Sequence, residues 1–144
     1  MNLKFCIVIS NYYKKIALDL MKGANLELEK YKKVNMLKCK TISIPGVFEI
    51  PVTISKLIDE YDAFIALGCV IKGKTPHFNF ISKAAVNGIM DLSIKYKKPI
   101  GNGIITCLNK KQALERSDPK KKNKGGEAAK AILSVLGISK NDSK

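Results

Sequence analysis

The chain has 144 residues, 46% of them hydrophobic and 7% aromatic, which suits one globular domain with a core of its own. Its 26 basic against 12 acidic residues give a formal net charge of +14, but Arg116 is the lone arginine, so the surface reads as solvated lysine rather than as a nucleic-acid reader, which favours arginine and interleaved aromatics. The apolar stretch from Ala63 to Ile71 is far too short for a membrane span, and the run from Phe5 to Ile9 is too short for a signal-peptide core.

In chain order, LKFCIVI (Leu3 to Ile9) predicts a first strand. Tyr12 to Lys32 carries Ile16, Leu20, Ala24 and Leu28 at four-residue spacing, the pattern of an amphipathic helix. The partly alternating MLKCKTISI (Met36 to Ile44) predicts a second strand, and Pro51 to Tyr61 a short helix with Ile54, Leu57 and Ile58 on one face. AFIALGCVI (Ala63 to Ile71) predicts a third strand. A helix from Pro76 to Tyr96 follows it, its apolar positions running through Ile81, Ala84, Ala85, Ile89 and Leu92. PIGNGIIT (Pro99 to Thr106) predicts a fourth strand, and all four are expected to be buried on both faces. Two helices close the chain, Lys110 to Ser117 and Gly125 to Leu136, separated by the basic, breaker-rich SDPKKKNKG. Strands and helices alternating at roughly 30-residue spacing describe successive βαβ units. The expected fold is a single-domain α/β sandwich of three layers around a four-stranded parallel sheet, covering residues 1–137, with a frayed tail over 138–144.

Cys6, Cys39, Cys69 and Cys107 lie far apart, with no C-x-x-C pair and no histidine at ligand spacing, so neither a zinc site nor a redox motif is visible. Each sits in or beside an apolar run, where a free thiol behaves as a small hydrophobe. A reduced, cytoplasmic protein is expected.

Open parallel sheets bind ligands beyond the carboxyl ends of their strands. Here that end collects Ser10 to Tyr13, Pro45 to Pro51, Ile71 to Phe78, and the segment from Cys107 towards Asn109. In IKGKTPHF, Gly73 permits a tight turn, Thr75 is placed to cap, and Pro76 suits a first helical turn. Amides at such a helix start, with Lys74 beside them, make an anion site, and His77, the sole histidine, sits in that turn. A plain capped helix with a surface histidine explains the same residues. The spacing is not that of a Walker A loop.

In PGVFEIP, Pro45, Gly46 and Pro51 bracket Phe48 and Glu49, so that backbone amides, a ring and a carboxylate face a polar heterocycle or polyol together. The alternative is a helix entry with Phe48 in the core and Glu49 at the positive helix end. Tyr12 and Tyr13 either stack on a ring or cover the helix start. Arg116 either pairs with Glu115 or clamps a phosphate through its fork. Lys120 to Lys124 either reinforce that field or form a solvated loop.

The segments IPGVFEIP, ALGCVIKGKTPHF, NGIIT, QALERS and NKGGEAA, in this order, resemble the patterns PGAFEIP, ALGxVIRGxTxH, xGxxT, QAxERA and NKGxEAA of the lumazine synthases of riboflavin biosynthesis. The likeness spans nearly everything from Leu3 to Leu136. It implies a flavodoxin-like sheet and condensation of 5-amino-6-(ribitylamino)uracil with 3,4-dihydroxy-2-butanone 4-phosphate, with no metal or redox cofactor. It further implies that Tyr12 stacks on the pyrimidine, that Val47, Phe48 and Glu49 hold the uracil and ribityl chain, and that Cys69, Val70 and Ile71 line the other wall. Lys74 and Thr75 would receive the phosphate, Arg116 would clamp it, and His77 would transfer protons.

The resemblance also implies a homo-oligomer, a pentamer or a multiple of pentamers, in which Asn102, Arg116 and Lys124 serve the neighbour's site. The chain departs from the family in carrying SNYY for the common RFN, Lys72 for an arginine, and Asn102 where phenylalanine is frequent. In SDPKKKNKG, Pro119 stiffens a link that shell-forming members keep flexible and glycine-containing. Two other readings stay open. One is a catalytically silent pentamer holding a flavin-like or lumazine ligand, against which His77 and Arg116 speak; the other is a basic nucleic-acid-binding module, for which only net charge speaks.

Overall fold

A strand buries both faces only where it has a neighbour on each side and helices above and below. The computed structural model describes residues 2–35 and 37–138, without the side chains of 33–35. In chain order it contains β1 (Leu3–Ser10), α1 (Lys14–Asn35), β2 (Leu37–Ile44), a 3₁₀ turn (Val47–Glu49), α2 (Ile50–Leu57), β3 (Ala63–Ile71), α3 (His77–Tyr96), β4 (Ile100–Cys107), α4 (Lys110–Ser117) and α5 (Lys124–Val135). The strands form one parallel sheet in the order β2-β1-β3-β4, the flavodoxin-like arrangement. Its register runs from Leu3 opposite Leu37 to Ser10 opposite Ile44, and from Phe64 opposite Ile100 to Ile71 opposite Cys107.

The two most continuous apolar runs, β1 and β3, occupy the centre and are buried almost throughout. The expectation of two-sided burial fails for β2, where Lys38, Lys40, Thr41 and Ser43 are exposed, and partly for β4, where Asn102 is exposed. Both lie at sheet edges, with a partner strand on one side only.

Successive strand residues face opposite layers, and the core divides accordingly. Phe5 and Ile7 join Ile16, Leu20 and Leu28 of α1, Ala113 of α4, and Ile132 and Leu133 of α5. Cys6 and Val8 join Ile50 and Ile54 of α2 and Ala85 and Ile89 of α3 on the other face. α1 and α5 approach closely because Gly125 has no side chain: a Cβ there would overlap the Leu20 carbonyl.

Several boundaries differ from expectation: α1 starts at Lys14 and runs on to Asn35, and α2 ends at Leu57, short of Tyr61. Pro76 occupies the position before α3 rather than its first turn, and Thr75 Oγ1 accepts the His77 amide at 3.4 Å from one residue further out. α5 starts at Lys124, because Asn123 Oδ1 accepts the Gly126 amide at 3.2 Å. At its far end Gly137, with φ of 73°, lets its own amide reach the Ser134 carbonyl and the Ile138 amide reach that of Leu133. Ile138 is thereby buried in the larger core. The rest of the expected tail, 139–144, lies outside the described residues.

Candidate functional site

Three connections converge at the carboxyl end of the sheet because the parallel strands all point there. Between them lies a cavity of about 430 Å³. Ser10, Tyr12 and Tyr13 enter it from the β1–α1 turn, and Gly46, Val47, Phe48 and Glu49 from the 3₁₀ turn. Cys69, Val70 and Ile71 come from the end of β3, and His77 and Ile81 from the start of α3. Its volume falls within the range of roughly 300–1,000 Å³ usual for small-molecule pockets.

The walls are tied to each other. The Asn11 amide donates to the Ile44 carbonyl at 3.1 Å, Asn11 Nδ2 to Ser43 Oγ at 2.9 Å, and Ser10 Oγ to the Pro45 carbonyl at 3.2 Å. The β1–α1 turn is thus fastened to the strand that leads into the 3₁₀ turn. Gly68 lets that turn rest on β3, since a Cβ there would stand 2.7 Å from Val47 Cγ2 and 3.3 Å from Ser10 Cβ. The Glu49 amide donates to the Gly46 carbonyl at 3.2 Å, and the Glu49 carbonyl accepts from Thr53 Oγ1 at 2.8 Å. The Glu49 carboxylate folds back over Gly46, within 2.7 Å of where a Cβ would sit.

Val47 is buried, whereas Phe48 is 58% exposed, so the reading that put Phe48 in the core is not what the fold shows. Tyr12 is 73% exposed, and its ring stands at 81° to that of Tyr13 with centroids 4.9 Å apart. Burial, then Cys69 and Tyr12, push the Tyr13 hydroxyl above its ordinary pKa. Burial, followed by neighbouring Cys107, pushes the Cys69 thiol up to about 12, so it enters the wall as a neutral group. Lys74 and Thr75 are exposed on the turn before α3 and do not line this cavity.

The remaining expected residues gather elsewhere, around a separate hollow of about 300 Å³ at the β4 edge lined by Asn102, Ile104, Ile105, Thr106, Arg116 and Lys124. Arg116 does not pair with Glu115. Its Nη1 donates to the Thr106 carbonyl at 2.9 Å and lies 3.9 Å from Cys107 Sγ. Asn102 Oδ1 accepts the Ile104 amide at 3.1 Å, and Lys124 Nζ pairs with Glu127 at 2.9 Å. On one chain, therefore, the histidine cavity and the arginine hollow are distinct places.

Ser10, Tyr13 and Gly46, which lie in the segments expected at this end but carry no role in the resemblance, complete the cavity wall together with Ile81, which the sequence placed only on the apolar face of a helix. Ser10 and Gly46 carried a readable signal, a polar end to an apolar strand and a glycine before an aromatic, while Ile81 looks like any core residue of α3. Among the described residues no three His, Cys, Asp or Glu side chains come together as metal ligands would. No described helix is long and apolar enough to cross a membrane.

The chain has relatives among known proteins. The family described as 6,7-dimethyl-8-ribityllumazine synthase matches residues 2–140. A protein of that name from Zymomonas mobilis subsp. mobilis is 41% identical over 139 residues, covering 95% of this chain and 96% of its own length. Proteins with the same name from Paramagnetospirillum magneticum and Bartonella tribocorum are 35% and 40% identical, covering 94% and 93% of this chain and 93% and 88% of their own lengths.

Proposed function

We infer the reaction from one premise: this chain belongs to the 6,7-dimethyl-8-ribityllumazine synthase family, a family of transferases. It condenses 5-amino-6-(D-ribitylamino)uracil with 3,4-dihydroxy-2-butanone 4-phosphate to 6,7-dimethyl-8-ribityllumazine, releasing phosphate and water in the penultimate step of riboflavin biosynthesis. The protein works in the cytoplasm, a reading supported by its free cysteines.

The cavity takes the pyrimidine. Tyr12 stacks on the ring, Val47, Phe48 and Glu49 hold the uracil edge and ribityl hydroxyls, and Cys69, Val70 and Ile71 form the opposite wall. Lys74 and Thr75, exposed at the start of α3, receive the phosphate with the help of the helix amides. Imine formation expels one water, elimination expels phosphate, and ring closure of the ribityl-bearing nitrogen onto the remaining carbonyl expels a second water; histidine both accepts and gives protons near neutral pH, which suits His77 to these steps. Holding both substrates in one pocket supplies the orientation part of the rate.

The observation that carries this reading is the division of the expected site into two hollows on one chain, His77 in one and Arg116 in the other. Such a division is resolved when Asn102, Arg116 and Lys124 of one subunit complete the cavity of the next, as in a pentamer or a multiple of pentamers. Exposed Phe48 and Val52, which line an apolar hollow adjoining the cavity, supply apolar surface for that contact. Mixing purified protein with both substrates, while following lumazine fluorescence and phosphate release, tests the reaction. No acceleration over the spontaneous condensation would overturn it, and a monomer by light scattering would overturn the shared site.

A further inference from the structure

We propose that Tyr13 is a positioning residue that sets the plane of the Tyr12 ring; this rests on the reading above, in which Tyr12 is the stacking surface for the pyrimidine. The two tyrosines differ in how they are held. Tyr12 stands in the short turn between β1 and α1 with 73% of its surface exposed, so little packing restrains its rotation. Tyr13 is half-buried against the larger core cluster, and its carbonyl accepts the Ala17 amide at 2.9 Å, which fixes it to the first turn of α1.

The rings meet at 81° with centroids 4.9 Å apart, the edge-to-face geometry that aromatic pairs favour. Core packing thus restrains Tyr13, and Tyr13 in turn restrains Tyr12. A stacking plane oriented before the substrate arrives loses less freedom on binding, and the gain appears as affinity for the planar substrate alone. The Tyr13 hydroxyl has no part in this, since a phenyl ring makes the same aromatic pair.

The test uses steady-state kinetics with each substrate varied in turn, on the wild type, Tyr13→Leu, Tyr13→Phe, Tyr12→Leu and the double variant Tyr12→Leu/Tyr13→Leu. Wild-type turnover is measured first; its absence removes the premise and the proposal together. Given turnover, Tyr13→Leu raises KM for the ribitylaminouracil roughly three- to tenfold, the equivalent of losing one aromatic pair. KM for the butanone phosphate and kcat stay within about twofold, Tyr13→Phe behaves as wild type, and in the Tyr12→Leu background Tyr13→Leu costs nothing more. Equal losses for both substrates, a matching defect in Tyr13→Phe, or a full additional cost in the double variant would each overturn the proposal. Should Tyr13→Leu fail to fold, Tyr13→Met, unbranched and better able to adapt to the half-buried site, removes the aromatic ring and carries the same expectations.

Discussion

Arg116 donates through Nη1 to the main-chain carbonyl of Thr106 across 2.9 Å. The one guanidinium of the chain is therefore braced by β4 itself and not by the acidic residue beside it. A brace to backbone holds position without neutralising charge, and the other end of the planar fork is left for an anion.

Replacing Arg116 by lysine keeps the charge and loses the fork. The expected result is a KM for the butanone phosphate raised about 10- to 100-fold, the usual worth of a charged hydrogen bond. His77→Ala is expected to harm use of that substrate less, because water replaces part of its proton transfer. Initial rates at varied butanone phosphate decide it, and an equal or reversed order of the two variants counts against this division of roles.

If one subunit's arginine serves the next subunit's cavity, two impaired variants repair each other. Co-expressed His77→Ala and Arg116→Ala chains should form mixed rings in which about a quarter of the interfaces pair an intact cavity with an intact arginine. Rates well above the sum of the two separate variants are expected; a simple sum would place both residues in one subunit's site.

Gly68→Ala puts a methyl group where Val47 Cγ2 is 2.7 Å away and Ser10 Cβ is 3.3 Å away. The 3₁₀ turn must lift from β3, at a cost of about 1–3 kcal/mol typical of overpacking. A lower urea midpoint is expected together with a higher KM for the ribitylaminouracil, since the displaced turn carries Phe48 and Glu49. Loss of stability with unchanged substrate affinity would show that the turn's seat on β3 does not shape the cavity.

The Cys69 thiol, raised by burial to about 12, holds its proton in the folded chain well above the ordinary value of 9.0. The unfolded chain then loses that proton first as the solution becomes alkaline. The stability this group contributes is intact below pH 9 and is lost as the pH rises towards 12. Urea unfolding at pH 8 and pH 10 should show a smaller alkaline loss in Cys69→Ala than in the wild type. The folded thiol should also alkylate slowly at pH 8, and rapid labelling there would contradict its burial.

β3 was legible to the residue, Ala63 to Ile71, because an unbroken apolar run has one home in such a fold, the middle of the sheet. β2 was read as more buried than it is, although Lys38 and Lys40 already announced an exposed strand; composition of a run does not reveal how many neighbours it has. The same blindness to strand order hid where Arg116 would fall. No local pattern says that β4 ends the sheet, so nothing short of the family resemblance separated Arg116 from His77. The cavity was easier to foresee, because a parallel sheet brings Tyr12, Glu49, Cys69 and His77 to one end whatever its strand order. Tyr13 was left between two meanings, since its part depends on an angle between rings that spacing cannot convey.

The open edge of β2 shows what some of the charge accomplishes. A free strand edge is a template on which another extended chain can add itself, and natural sheets guard such edges with lysine. Lys38 and Lys40 stand exposed on that strand. They make each copy's edge repel its twin, a keep-away signal whose reach shrinks to about 10 Å at 0.1 M salt. Two of the chain's many lysines thus stand where edge-to-edge pairing of two copies would bring like charges together, at the side of the sheet away from the β4 edge where Arg116 stands.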